Sequence, residues 1–519
     1  MALQNLPIGI QSFEKIRKDG YLYVDKTALV YKLVDTGSYY FLSRPRRFGK
    51  SLLLSTLHAY FEGKRELFEG LAISKLEQKW EKYPVLHLDL NTQKYETPEA
   101  LENILDNALS QWEDHYGARE SERSLSLRFL GVIQRACEQT GRRVVILIDE
   151  YDKPMLQAIG NEALQDAYRG TLKAFYSALK SGDQYIKFAM LTGVTKFGKV
   201  SVFSDLNNLK DISMRKDYHE LCGITERELQ ENFHPYVLRM ADELDMSAED
   251  VLKELARLYD GYHFTWPSPD LYNPFSLLNA FADGKMNSYW FGSGTPTYLI
   301  EMLNKYGVAP QQIGGQKVFA TAFDAPTEQM TNITPLLYQS GYITIKDYAA
   351  RVGLYTLNIP NKEVRLGLME SLLPHYVPPT ETERAATLTA YLFDSIDRGN
   401  MDEALQLLQT FLSTIPQCDN TDYEGHYQSL LYVIFSLLGF YVDVEVRTPR
   451  GRVDVVLRTH STLYVIELKL DKTADAAMQQ IDLKNYPERF ALCGLPVVKV
   501  GINFDSERRT LGEWKIEEE

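Results

Sequence analysis

Three groups of side chains have the types and spacing for phosphate chemistry. Phe48-Gly49-Lys50-Ser51 puts a glycine, an ammonium and a hydroxyl in register just after the apolar run Tyr39-Tyr40-Phe41-Leu42. A phosphate-binding loop needs those parts: inward-pointing backbone N–H groups, a Lys for the outer phosphates and a hydroxyl for magnesium. Where the motif GxxxxGK[ST] has its first glycine this chain has Arg44, and Pro45, Arg46 and Arg47 fill the loop. The match is incomplete, and three extra cations beside Lys50 either grip phosphate or face a partner. The stretch Arg44 to Leu52 is the expected nucleotide contact.

The second group is Asp149-Glu150, which ends the run Val144-Val145-Ile146-Leu147-Ile148. In P-loop ATPases such an Asp orients magnesium and its waters, and the Glu polarises the attacking water. The plain alternative, an acidic surface turn, loses ground because the lysine loop lies upstream. Thr192 and Thr195 close a further apolar run, Ile186 to Leu191. In ATPases with an extra strand between the lysine loop and the Asp-Glu strand, a polar residue such as Thr192 senses the γ-phosphate. The third group is Glu424, Asp454, Glu467 and Lys469. Carboxylates around a lysine suit metal-dependent phosphodiester hydrolysis, with Asp454 and Glu467 as metal ligands and Lys469 stabilising developing charge. An ordinary Glu467–Lys469 salt bridge on an exposed strand is the bland reading; the apolar neighbours Val465, Ile466 and Leu468 argue for a buried strand instead.

Those side chains need scaffolding. Tyr39 to Ser43 reads as a buried strand, and the apolar segment Leu52 to Phe61 as a helix that starts at the loop and turns its N-terminal dipole toward phosphate. Tyr83 to Leu90 and Val144 to Ile148 read as strands, the latter buried on both faces of a parallel sheet. Pro98 to Trp112 and Leu164 to Leu179 read as helices. From Lys216 to Ser371 the pattern is mostly helical, with capped starts at Thr225 and Ser247. Its aromatic turns, such as Tyr259 to Phe264 and Tyr272-Asn273-Pro274-Phe275, read as packing devices rather than as an active site. Near the C-terminus, a helix from Tyr423 to Leu438 with Glu424 on its buried face precedes strands at Tyr441 to Thr448, Arg452 to Thr459 and Thr462 to Leu470. A helix from Ala474 to Ile481 follows. Glu467 and Lys469, two apart on a strand, share a face.

A chain of 519 residues exceeds a single core. With 45% hydrophobic and 24% charged residues it has globular composition, and it shows no internal repeat or low-complexity tract. The net charge of −14 argues against a protein that coats nucleic acid nonspecifically, without excluding a local basic groove. Four cysteines far apart, Cys137, Cys222, Cys418 and Cys493, argue against a zinc ribbon or disulfide scaffold. No basic region followed by a long apolar run opens the chain, and no run reaches the roughly 20 residues of a membrane span. The expectation is a cytoplasmic protein without membrane contact.

Residues 1 to about 215 resemble the AAA-ATPase-like family with the variant loop Arg44-Pro45-Arg46-Arg47-Phe48-Gly49-Lys50-Ser51. The resemblance extends to Tyr23-Val24-Asp25-Lys26-Thr27, Ile148 to Asp152 and Phe203 to Ile212. Residues from about 405 to 515 resemble the small PD-(D/E)XK nuclease-superfamily domain usually fused to it, through Gly451 to Asp454, Ile466 to Lys469, Gln480 to Tyr486 and Gly501 to Phe504. The resemblance implies an α/β protein in three parts: a P-loop NTPase domain of the additional-strand class over 1–215, a mostly helical lid or linker over 216–375, and a restriction-endonuclease-like α/β domain over 376–519. Lys50, Ser51, Asp149 and Glu150 then take the ATP-site roles, with magnesium on Ser51 and Asp149. Glu424, Asp454, Glu467 and Lys469 take the nuclease roles with Mg²⁺ or Mn²⁺. Gln480 joins them at a wider spacing to Tyr486 than related nucleases have. No arginine finger stands out, and Arg215 is named only as a candidate.

Two functions follow. One is an ATP-dependent or ATP-regulated nuclease acting on DNA, in DNA processing or genome defence. The other is a nucleotide-gated switch or scaffold whose nuclease-like domain binds without cleaving. Either admits a homo-oligomer or a protein partner.

Overall fold

In the strand Tyr39–Ser43 (β1) all five residues are buried, as a strand covered on both faces requires. β1 belongs to a parallel sheet with Val85–Asp89 (β2), Val144–Asp149 (β3), Ile186–Gly193 (β4) and Lys210–Asp211 (β5). The computed structural model describes residues 3–196, 208–291, 297–327, 330–415, 423–440, 443–447, 452–483 and 494–518. The strand order is β2-β3-β4-β1-β5, so β4 stands between the strand of the lysine loop and the strand of Asp149. That insertion is the topology of the additional-strand class. It also brings the carboxyl ends of β1, β3 and β4 to one edge, where a parallel sheet binds ligands.

The amphipathic helices Pro98–Tyr116, Leu125–Thr140 and Glu162–Ser181 bury Leu101, Leu105, Phe129, Val132, Leu172 and Phe175 together with Phe41, Ile146, Ile148 and Leu191 of the sheet. Ser124 and Asn161 cap the second and third of these helices, accepting from Leu127 N and Leu164 N. The phosphate-loop helix, Lys50–Phe61, is capped by Gly49, whose φ of 93° is a left-handed conformation open to glycine at little cost.

The chain divides into two compact units, Met1–Ser293 with Gly315–Asn361, and Gly294–Gly314 with Lys362–Glu519. The middle stretch expected over 216–375 is thus shared between the units rather than standing alone. Within the first unit it contributes helices Glu226–Leu244, Ala248–Tyr259 and Pro274–Asp283 around Phe233, Tyr236 and Phe281. The capped starts expected at Thr225 and Ser247 are present, the first as a complete capping box with Glu228. The stretch is less purely helical than its pattern suggested. A three-stranded antiparallel sheet, with Leu354–Asn358 between Lys317–Val318 and Thr344–Ala349, sits within it.

The second unit carries a five-stranded sheet of Asp443–Arg447 (β6), Arg452–Arg458 (β7), Leu463–Leu470 (β8), Val497–Asp505 (β9) and Thr510–Glu518 (β10), in that order. β8 and β9 are parallel and the remaining pairs antiparallel. The helix Ala474–Leu483 lies between the parallel pair in sequence, a βαβ crossover. Its Met478 and Ile481 pack on Leu463, Val465 and Val497. Helix Tyr423–Leu437 packs on the sheet through Tyr427, whose ring centroid is 5.1 Å from that of Phe504. No helix among the described residues is long and apolar enough to cross a membrane.

Candidate nucleotide and nuclease-like sites

The loop between β1 and its helix is built on two left-handed residues, Arg47 at φ 69° and Gly49 at φ 93°. Alternating them with ordinary conformations turns successive N–H groups toward one concave side, the shape that holds anions. Phe48 between them points the other way, buried edge-on against Tyr262 and Phe264 at centroid distances of 4.9 and 5.3 Å. Gly341 closes on the same loop from behind. A Cβ there would lie 2.7 Å from Pro45 Cβ, so only glycine fits, at a φ of 90°.

Arg44 corrects an expectation. Its guanidinium does not join the phosphate-gripping cations, being 1% exposed and directed into the protein. There Nη1 donates to the carbonyls of Ser43 and Ser213 at 3.0 and 2.7 Å, Nη2 donates to the Tyr218 carbonyl at 3.4 Å, and the group lies 4.0 Å from the Phe264 ring centre. Its backbone N–H donates to Gly193 O. The residue that stands in for the first glycine is an internal brace for the loop. Arg46 and Arg47 stay exposed and line the pocket in front, Arg47 over the Phe275 ring at 4.7 Å.

That pocket, about 400 Å³, is walled by Lys50, Ser51 and Leu52, by Glu150, by residues 7–11 and by Pro274, Phe275 and Leu278. The Tyr272–Phe275 turn, read from sequence as packing alone, therefore supplies a wall of the site. A smaller apolar cavity of about 110 Å³ shares Pro7, Gly49, Leu52, Pro274 and Leu278 with it. Lys50 Nζ lies inside the curl of its own loop, donating to the carbonyls of Arg44 and Pro45 at 3.1 and 3.3 Å, and 3.3 Å from Glu150 Oε1. Lys50 and Glu150, 100 residues apart in sequence, thus meet as an ion pair.

Thr192 is buried and its hydroxyl donates to Asp149 Oδ1 at 2.5 Å; the Glu150 N–H donates to the same oxygen at 3.0 Å. The inserted strand thus fixes the carboxylate at the end of β3. In this structure Thr192 orients Asp149, and neither is among the residues lining the pocket, which Glu150 reaches instead. Asp152, the last residue of the Ile148 to Asp152 motif and given no role there, is fully buried; it accepts from Val194 N, Thr195 N and Thr195 Oγ1 at 3.1, 2.6 and 2.8 Å and so ties the turn after β3 to the tip of β4. Burial, with the Glu150 charge adding to it, pushes its carboxyl up to about 6. Lys196, next along, is 2% exposed and pairs with Asp211 at 2.7 Å and with Asp324. Arg215 is exposed and does not line the pocket.

In the second unit, antiparallel register sets Asp454 of β7 opposite Glu467 of β8, and Arg452 opposite Lys469. Paired residues share a face, so Asp454, Glu467 and Lys469 converge on one side of the sheet. Asp454 is 6% exposed and Glu467 is 0%. Gln480 reaches the group from the crossover helix, its Oε1 accepting from Lys469 Nζ at 3.3 Å. Glu424 opens the helix Tyr423–Leu437, but its side chain lies outside the described ones, as do the turn expected at Pro449 to Gly451, the Lys484 to Tyr486 stretch, and residues 203–207. Two buried carboxylates side by side, at the edge of a lysine, form an oxygen donor set of the kind Mg²⁺ or Mn²⁺ takes.

A family described as predicted AAA-ATPase matches residues 7–203, and the PD-(D/E)XK nuclease superfamily matches residues 422–514. Over 537 aligned residues the chain is 36% identical to a protein of Azotobacter chroococcum mcd 1 described as "Uncharacterized protein in vnfD 5'region", covering 100% of this chain and 99% of that one. The chain belongs to the AAA-ATPase-like family that carries a C-terminal PD-(D/E)XK nuclease-superfamily domain. Within that family's architecture the lysine loop and the Asp149 strand fall in the matched ATPase region, and Asp454, Glu467, Lys469 and Gln480 fall in the matched nuclease region.

Proposed function

We propose that the first unit binds and hydrolyses ATP with Mg²⁺, and that the C-terminal domain cleaves phosphodiester bonds in DNA with Mg²⁺ or Mn²⁺, in DNA processing or genome defence. The observation that carries the first half is the ion pair of Lys50 with Glu150 on the wall of one pocket, beside an Asp149 oriented by the inserted strand. Lys50 exchanges the carbonyls of Arg44 and Pro45 for β- and γ-phosphate oxygens, and the N–H groups of the loop hold the remaining charge. The apolar cavity beside Leu52 and Leu278 takes the base. Glu150 accepts a hydrogen bond from water and turns it toward the γ-phosphorus. A magnesium ion held by Ser51 and Asp149 would neutralise charge on the phosphates.

In the nuclease domain Asp454 and Glu467 would hold the metal, which supplies activated water and charge neutralisation when bound. Lys469, held by Gln480, places its ammonium where charge develops on the phosphate. The scattered cysteines and globular composition support a cytoplasmic setting. Calorimetry with ATP and Mg²⁺ should give binding heat for the parent and none for Lys50→Ala. Equal heats would remove nucleotide binding from this loop. Plasmid and single-stranded DNA incubated with Mg²⁺ or Mn²⁺ should be cut by the parent and spared by Asp454→Ala. Tight ATP binding with negligible turnover, and no cleavage of any DNA or RNA, would instead make the protein a nucleotide-gated switch.

A further inference from the structure

A second ammonium enters the nucleotide pocket from the turn that carries Glu150. Glu150 has a φ of 51°, so the chain reverses as soon as β3 ends, and Lys153 N–H donates to Glu150 O at 3.0 Å to close the turn. Lys153 then opens the short helix Lys153–Gln157, and its side chain lines the pocket together with Lys50 and Glu150. The ammonium is held in place by Asn91, donating to its carbonyl at 3.1 Å and to its side-chain oxygen. Asn91 follows the end of β2, so two strand ends fix one cation. Among the described residues Lys153 forms no salt bridge, and Glu150 is the only acid in the pocket wall. Its charge is therefore not cancelled by direct pairing. Partial burial lowers its pKa and the charge of Arg46 presses the same way, against the pull of Glu150 and Asp89. An incoming polyphosphate would relieve that repulsion.

We propose that Lys153 is a catalytic residue of ATP hydrolysis whose ammonium contacts a γ-phosphate oxygen, supplying from the same chain the charge that other ATPases take from an arginine finger. The inference rests on the reading of this pocket as an ATP site. In the step it serves, the oxygen of water bonds to the γ-phosphorus. The bond from that phosphorus to the β,γ-bridging oxygen breaks, its electron pair stays on the ADP oxygen, and the proton of the water passes to Glu150 and on to solvent. Negative charge spreads over the oxygens of the transferred group as this happens. Lys153 shares a turn with Glu150 and so stands at the end of the pocket where water attacks. The arginines are placed differently: Arg44 is spent on internal carbonyls, Arg47 lies over Phe275, Arg215 is outside the pocket wall, and Arg46, which does line the pocket, belongs to the phosphate loop rather than to the turn of Glu150.

The test uses the full chain, with a fluorescent ATP analogue for binding and phosphate release for turnover, on the parent, Lys153→Gln, Lys153→Arg and Lys50→Ala. Lys153→Gln should keep its thermal midpoint, bind the analogue within about threefold of the parent, and lose on the order of 10²–10³-fold in kcat. Lys153→Arg should recover a large part of that loss. Specific activity of the parent should be constant across a wide range of protein concentrations, since no second copy completes the site. Unchanged kcat in Lys153→Gln, or loss of binding as complete as in Lys50→Ala, overturns the assignment. So does specific activity that climbs with concentration. A parent that fails to bind the analogue overturns the ATP site itself, and the binding arm separates that failure from the others.

Discussion

At Arg44 a guanidinium has exchanged water for three carbonyl oxygens and an aromatic face. A buried charge is tolerated only with such partners, and a planar fork with five donors can serve several carbonyls at once where an ammonium cannot. Residue type and spacing identified the loop, because Gly49, Lys50 and Ser51 act through backbone geometry and local register. The direction of the Arg44 side chain depends on Ser213, Tyr218 and Phe264, roughly 170 to 220 positions away, and was not legible in the motif. The role of Asp152 was hidden for the same reason: its partners, Val194 and Thr195, belong to another strand end. Burial raises its carboxyl to about 6, against an ordinary value near 3.8. The folded protein therefore holds that proton more tightly than the unfolded chain. Asp152 contributes most stability below about pH 4, and the contribution is lost as pH rises to about 6. Denaturant titrations of the parent and Asp152→Asn should show the parent's relative stability falling across that interval and level above it; a relative stability that rises with pH would contradict the burial argument.

The element that organises the nucleotide site is β4. Its insertion between β1 and β3 lets Thr192 reach Asp149, Thr195 reach Asp152 and Lys196 reach Asp211 and Asp324. Strand existence was legible, since continuous aliphatic runs such as Val144 to Ile148 announce a buried parallel strand. Strand order was not contained in any local pattern, and it came only through the family resemblance. β9 was likewise visible only as the motif Gly501 to Phe504, and β10 was not read from the sequence at all. The wall formed by Pro274, Phe275 and Leu278 was missed because a capped Asn-Pro turn looks the same whether it packs a core or borders a pocket. Lys196 tests the clamp at the end of β4. Lys196 is buried while Asp211 and Asp324 keep contact with solvent, so removing its ammonium costs about 1.5–3 kcal/mol, the worth of charged hydrogen bonds rather than of a fully buried pair. Lys196→Met should lower the unfolding free energy of the first unit by that order in urea titrations, and a change below about 1 kcal/mol would show that the ion group does not hold β4 in place.

On the scale of the whole molecule, two compact units each gather one group of the proposed site residues: Lys50, Glu150 and Asp149 in one, and Asp454, Glu467, Lys469 and Gln480 in the other. The shared face of Glu467 and Lys469 was legible from alternation, because residues two apart on a strand share a face; the register that sets Asp454 opposite Glu467 was not. Gln480 needed the crossover helix to bring it to Lys469. The overall charge of −14 sets the terms for any nucleic-acid contact. Binding must come from a bound metal and a few placed cations rather than from a broad basic surface, so cleavage should depend steeply on the divalent ion. The most direct measurement is cleavage of DNA by the full chain with Mg²⁺ or Mn²⁺, with and without ATP, for the parent and Lys469→Ala. The parent should cut and Lys469→Ala should lose at least about 10²-fold in rate; equal cleavage by the two, or no cleavage by the parent under any of these conditions, would contradict the account.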